Sequence, residues 1–315
     1  MRNEDFSAAA AAPAAASAPL DAPDGVAAWV ADWIAAHPPG ACRLLLDGAA
    51  LPNLPERLRA AGADARCLTA EGADADLRAA SPWLVPLPPG DRSTEVLLER
   101  FCRPSGPRDD PMALLDRRPG LLLASPLDDA ALAGALRRLT RLPDEAGARQ
   151  WFRLAEPGML DMLRRAAPPA ERAGAMRGLD AIAWAEPAME DGLWRMRHAA
   201  APPDGGAESP RTPVVDAPMR AALRHAVHRL RARAVARRGG GDLALRLDRA
   251  RTIAWAFDAG HRGPDWLLLH FHRLLAEAPA EHRAYWWGRV EAGDESLAVL
   301  NRGMHDSHGT GAFAP

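Results

Sequence analysis

Two runs, 43–47 (RLLLD) and 120–124 (GLLLA), are apolar at successive positions instead of at every second one, and each leads toward a segment with helical spacing. A strand that keeps no polar side for water has to be covered on both faces, so these runs predict a sheet packed between helices. Segments 65–68, 83–87 and 150–154 read as further strands, with helices over 54–61, 94–101 and 128–140. The alternation predicts an α/β fold, with α+β as its variant: an N-terminal lobe on a mostly buried mixed sheet. Asp128, and Ser93 with Thr94, mark helix starts, because their side chains can accept from free backbone N–H groups.

The later part of the chain has a different period. Residues 199–213 (AAAPPDGGAESPRTP) suit neither helix nor strand and read as a linker. Beyond it Met219, Leu223, Ala226, Val227, Leu230 and Ala234 recur every three or four positions, and Gly239, Gly240 and Gly241 end that helix. A second helix passes through Leu247, Ala250, Ile253, Ala254 and Phe257 to Gly260, and a third follows Gly263, Pro264 and Asp265 through Leu268, Phe271 and Leu275. The expected organisation is a disordered tail over 1–24, the α/β lobe over 25–198, the linker 199–213, a C-terminal helical lobe over 214–302 and a loose tail over 303–315. A chain of 315 residues that is 48% hydrophobic can fill two such cores.

Arginine and lysine total 39 against 41 acids, a formal charge of -2, so no global field draws the chain to nucleic acid or to an anionic membrane. All 39 bases are arginine, which removes P-loop, Schiff-base and kinase-type lysine chemistry at once. Cys42, Cys67 and Cys102 are too far apart for a CxxC site and read as buried thiols of a reducing cytosol. Glu4 and Asp5 stand before the alanine-rich 7–20 segment where a secretory leader carries positive charge, and no apolar run reaches about 18 residues. The expected location is cytoplasmic.

No GxSxG elbow and no HExxH pair occurs. Ser125, the serine best placed after a strand, precedes Pro126 and reads as a strand terminator. His225 and His228 share a helix face and could hold a metal, but no third ligand is in view, so a solvated flank is the preferred reading. His270 and His272, two apart on a helix, point in different directions, and His305 with His308 lies in the loose tail. The carboxylate pairs Asp109 with Asp110 and Asp128 with Asp129 sit where loops and helix starts carry acids. We therefore expect no catalytic residue, no metal and no cofactor.

What remains is binding. From Ala217 through Gly241 there is no acid, and Arg220, Arg224, Arg231 and Arg238 flank the apolar stripe of that helix. The cluster suits an acidic protein surface or phosphates. Trp286 and Trp287 adjoin, so they cannot both face inward on one helix, and one is a candidate contact. Arg220, Arg224, Arg231, Trp286 and Trp287 are the partner-binding candidates.

Four stretches in order add a family likeness. They are Leu44 through Ala49 with Pro52 and the helix behind it, Ser81 through Leu87 (SPWLVPL), Gly120 through Pro126 with Leu127, Leu132, Leu136 and Leu139, and Trp151 through Leu154 with Met159 and Leu160. Together they resemble the domain of unknown function 4123 (DUF4123) over residues 43–186. The chain departs from the pattern with Glu156 in place of the usual aspartate, Ala155 in place of a tyrosine, and an additional Gly158. The resemblance implies an α/β recognition lobe with a variable helical lobe, acting as a cytoplasmic effector chaperone or adaptor of type VI secretion in a Gram-negative bacterium. Its partners would be a cognate toxic effector and a VgrG or PAAR spike protein, with no catalytic residues. The alternatives are a nucleic-acid-binding or regulatory protein using the arginine-rich helix 217–238, which the near-neutral total charge disfavours, and a hydrolase with an unrecognised site.

Overall fold

A computed structural model describes residues 23–70, 72–103, 114–187, 194–201, 210–292 and 295–310. They form two compact units, 23–187 with 194–222, and 223–310. The tail expected over 1–24 lies outside the described residues up to position 22, as do 202–209 of the expected linker.

In the first unit the order is α1 (Pro23–Ala35), β1 (Cys42–Asp47), α2 (Leu54–Ala60), β2 (Arg66–Cys67), α3 (Ala75–Ala79), β3 (Pro82–Pro86), α4 (Arg92–Cys102), β4 (Gly120–Ala124) and α5 (Asp129–Leu139). Then come β5 (Arg141–Pro143), β6 (Arg149–Trp151), α6 (Met159–Ala166), α7 (Pro169–Ala175), β7 (Ala181–Pro187) and β8 (Trp194–Ala200). Six strands form one sheet in the order β2-β3-β1-β4-β7-β8, while β5 and β6 pair separately as a hairpin. Helices beside a largely apolar sheet are therefore present as expected.

Every ladder of the six-stranded sheet is antiparallel, where a mixed sheet was expected. An apolar run says only that both faces are covered; it does not set strand direction. Leu44 lies opposite Val85 and Leu122, and Leu45 opposite Leu84 and Leu121. Side chains alternate along β1, and the contacts follow: Cys42 Sγ lies 4.0 Å from the Ile34 carbonyl of α1, whereas Arg43 Nε lies 2.8 Å from Asp129 of α5. One helix thus covers each face of this strand. Leu44, Leu45 and Leu46 are fully buried, each contributing up to about 2 kcal/mol of apolar burial.

Residues 210–215 belong to the first unit. The Arg211 N–H donates to the Ala170 carbonyl at 3.0 Å, Val214 N–H to Glu171 at 2.8 Å, and Val215 N–H to the Pro143 carbonyl at 2.8 Å. The division between the units falls inside α8 (Ala217–Arg238), after Ala222.

The second unit continues with α9 (Leu243–Asp258), α10 (Asp265–Glu277), α11 (Ala280–Ala292) and α12 (Leu297–Thr310) around Phe257, Leu268, Phe271, Val290, Leu300 and Met304. α12 runs through much of the segment expected to be loose, because Leu297, Leu300 and Met304 share one buried face; 311–315 lie outside the described residues. Along α8, Met219 and Ala226 are buried as the stripe predicts, but Val227 is 49% exposed and burial passes to Ala232, Val235 and Ala236. Among the described residues no helix is long and apolar enough to cross a membrane.

Candidate functional site

The stretches that carry the family likeness meet at one end of β1. Asp47, buried at the strand's end, accepts from Ala49 N–H at 3.1 Å through one oxygen and pairs with Arg153 at 2.5 Å through the other. The first stretch is thereby tied to the last across 106 residues. Gly48 follows because a Cβ there would lie 2.2 Å from the Ala79 carbonyl oxygen and 2.5 Å from that of Ser81. Gly120 has φ +156° and its Cβ would fall 1.9 Å from the Leu45 carbonyl oxygen, so both approaches demand glycine. On β3, Trp83 lies opposite Leu46 and donates from its indole to the Arg78 carbonyl at 3.2 Å.

Arg118, in the left-handed region at φ 51°, completes the cluster. Its Nη2 lies 3.0 Å from Glu156 and also donates to the Pro157 carbonyl, while Nη1 lies 3.9 Å from Glu186. Glu156 is 4% exposed, and its Oε1 has no aligned hydrogen bond. The contact with Arg118 is therefore electrostatic and recovers only part of the cost of burial. Burial pushes the Glu156 carboxyl up to about 7; Arg118 and Arg153 oppose that rise, and Asp47 and Glu186 add to it. Two departures from the family pattern now have a geometry. Glu156 reaches Arg118, and Gly158, at φ 92°, turns the chain into α6. Arg118 and Glu186 carried no sequence signal beyond the Pro119-Gly120 turn beside Arg118.

The groups weighed for chemistry are occupied otherwise. Ser125 is buried, donates to the Gly178 carbonyl at 2.5 Å and accepts from Leu127 N–H. Asp128 caps α5 by accepting from Ala131 N–H, and Asp129 pairs with Arg43; Asp109 and Asp110 lie outside the described residues. Burial raises Cys42 to about 11 and Cys102 to about 12, which keeps both as neutral thiols at neutral pH. His225 and His228 both place Nδ1 on Asp258, at 2.8 and 2.7 Å, and Arg262 lies 3.2 Å from His228 Nε2. Both imidazoles are thus taken up by Asp258, and His228 also lies against a guanidinium where a metal ligand would need an open nitrogen. His272 is buried against Asp248 at 2.8 Å, and the half-buried His270 lies 3.2 Å from Arg273. Among the described residues no three His, Cys, Asp or Glu side chains are arranged to hold a metal.

The partner-binding candidates divide. Arg220, in the first unit, lies 3.5 Å from Glu145 and donates to the Val215 carbonyl at 3.1 Å. In the second unit Arg224 is exposed, and the exposed Arg231 lies over the Phe257 ring at 4.9 Å. Trp286 needs correcting as a surface candidate: it is 4% exposed and edge-on to Tyr285, with Gly303 leaving room for its ring. Trp287 remains at the surface, its ring centroid 3.6 Å from that of Trp255. Sequence reasoning missed Trp151, which is 60% exposed with Arg141 stacked at 4.0 Å, and the exposed Trp266. Neither has a periodic signal that separates it from core tryptophan.

Residues 42–174 match the model of a family described as domain of unknown function (DUF4123), which supports that family for this stretch. No curated protein and no solved structure matches the chain.

Proposed function

We propose that this protein is a non-catalytic adaptor, a cytoplasmic chaperone that holds a toxic effector and hands it to a VgrG or PAAR spike protein of a type VI secretion system. The observation that carries the reading is the family match over 42–174, whose likeness-bearing stretches converge on the Asp47, Arg153 and Glu156 cluster. Those residues are spent on holding the first unit together, which leaves recognition to surfaces. An adaptor needs surfaces of the kind that Arg224, Arg231 and Trp287 provide: arginine and aromatic groups that make strong contacts when a partner dries them. Arg220 offers a comparable contact on the first unit.

The test is a tagged pull-down from the native bacterium at two salt concentrations, with mass spectrometry of what co-purifies. One toxin together with a spike protein is the expected result. Salt-sensitive nucleic acid without any secretion component overturns the proposal. Reversing charge at Arg220, Arg224 and Arg231 together should weaken toxin recovery at least about tenfold; unchanged recovery removes these arginines from the interface.

A further inference from the structure

The second unit holds a cleft of about 380 Å³ that the family likeness does not touch. Its apolar wall is Leu245, Leu269 and Ala276, and its rim carries Arg249 and Arg273 with Glu277 as the acid. Leu245 leaves 38% of its surface in water although it is aliphatic.

The triple glycine that ends α8 builds one side of this cleft. A Cβ on Gly239 would lie 2.7 Å from Leu269 Cδ2 and 3.0 Å from Arg249 Nη1, so glycine lets both approach the backbone. Arg249 Nη1 donates to the Gly239 carbonyl at 2.8 Å and to the Gly240 carbonyl at 2.6 Å. One nitrogen thus satisfies the end of α8 and fixes the guanidinium in place. Arg273 makes one contact, with Nη2 3.2 Å from Nδ1 of His270. His272, which also lines the cleft, is buried and held by Asp248 at 2.8 Å through Nε2. The lining side chains thus carry two guanidiniums and one carboxylate, with Asp248 taken up by His272, beside an open apolar wall. The occupant complementary to that arrangement places a carboxylate next to an aliphatic or aromatic side chain.

We propose that this cleft docks an acidic amphipathic segment of a partner protein, its apolar side chain on Leu245, Leu269 and Ala276 and its carboxylate between Arg249 and Arg273. The proposal rests on the adaptor reading for the identity of that partner, but not for the existence of the site.

The probe is a fluorescein-labelled helical peptide of leucine and glutamate with an amidated C-terminus, titrated with the purified full chain and followed by polarisation. Saturable binding is expected, weakened at least about tenfold by Arg273→Glu and by raised salt. Arg273 is exposed on α10 and its removal leaves the core intact, and Ala276→Glu on the same exposed face is the second variant. Arg249 is left alone because it caps α8. The proposal is overturned by lack of saturable binding, by equal binding of a leucine and lysine peptide, or by unchanged binding in both variants. Binding of only the free-carboxylate form would also overturn it, by assigning the cleft to chain termini. Toxin recovered equally by wild type and Arg273→Glu sinks the cleft and spares the adaptor reading. Peptide binding without any toxin in the pull-down does the reverse.

Discussion

The first unit turns its charges inward and the second turns them outward. Arg43, Asp47, Glu156 and Asp161 are buried in the first, and Arg43, Arg118 and Asp47 each meet an opposite charge or several carbonyls. In the second Arg224, Arg229, Arg231 and Arg238 of α8 are exposed, and among the buried polar groups His261 bonds to the Val290 carbonyl at 2.9 Å, Asn301 to that of Leu267 at 3.1 Å, and His272 to the exposed Asp248 at 2.8 Å. The difference teaches where a signature can be informative. Residues that fix strand ends and loop crossings are needed by the fold whatever the chain binds, whereas an outward arginine is free to follow a partner.

The largest effect should come from backbone approach. Gly120→Ala puts a methyl 1.9 Å from the Leu45 carbonyl oxygen, so β1 and β4 cannot keep their pairing. We expect a loss of at least about 4 kcal/mol in urea unfolding of the first unit. Gly288→Ala in α11 meets nothing within 4 Å and should stabilise the second unit by about 0.5–1 kcal/mol. Similar melting curves for the two variants would erase the distinction between a unit built on close approach and one built on side-chain packing.

Next in size is the tryptophan pair. Trp286→Ala empties a core position and should cost about 3–5 kcal/mol, read as an earlier thermal transition. Trp287→Ala removes a surface ring tilted against Trp255 and should cost about 1 kcal/mol while reducing partner recovery. If the two costs were reversed, the inward and outward assignment of α11 would be wrong.

How much of this was legible follows the same division. The run 120–124 matches β4, and 43–47 falls inside β1, because an uninterrupted leucine run between turns has few other uses. β7 (AIAWAEP) was missed: alanine favours helix locally, and the strand exists because Ala181, Ile182 and Ala183 pair with Ala124, Leu123 and Leu122. The strand expected over 150–154 overlaps β6 only at 150 and 151, and β6 pairs in its own hairpin with β5, a partner too short to leave a pattern. At the candidate site Asp47, Arg153 and Glu156 sat within recognisable stretches, but Arg118 and Glu186 enter through tertiary pairing alone. The cleft in the second unit was illegible because Gly239, Arg249 and Arg273 come from three elements whose convergence no local period encodes.

A pH dependence probes whether the inward charge of the first unit is a strain on it. Glu156 has a folded-state value of about 7 against an ordinary 4.5, raised by burial first. Between those values the folded state keeps a proton that the unfolded chain has released, so stability falls as pH rises. Its contribution is complete below pH 4.5 and is lost as the pH passes 7, at about 1.4 kcal/mol per pH unit and roughly 3 kcal/mol in all. Glu156→Gln keeps the shape without the titration. The stability of wild type relative to this variant should therefore decline between pH 5 and pH 8, measured by urea unfolding of the first unit. A difference that stays level would mean that Arg118 and Arg153 hold the carboxylate ionised throughout. The buried charges of the first unit would then be fully matched pairs, and the contrast with the second unit would lie in placement alone.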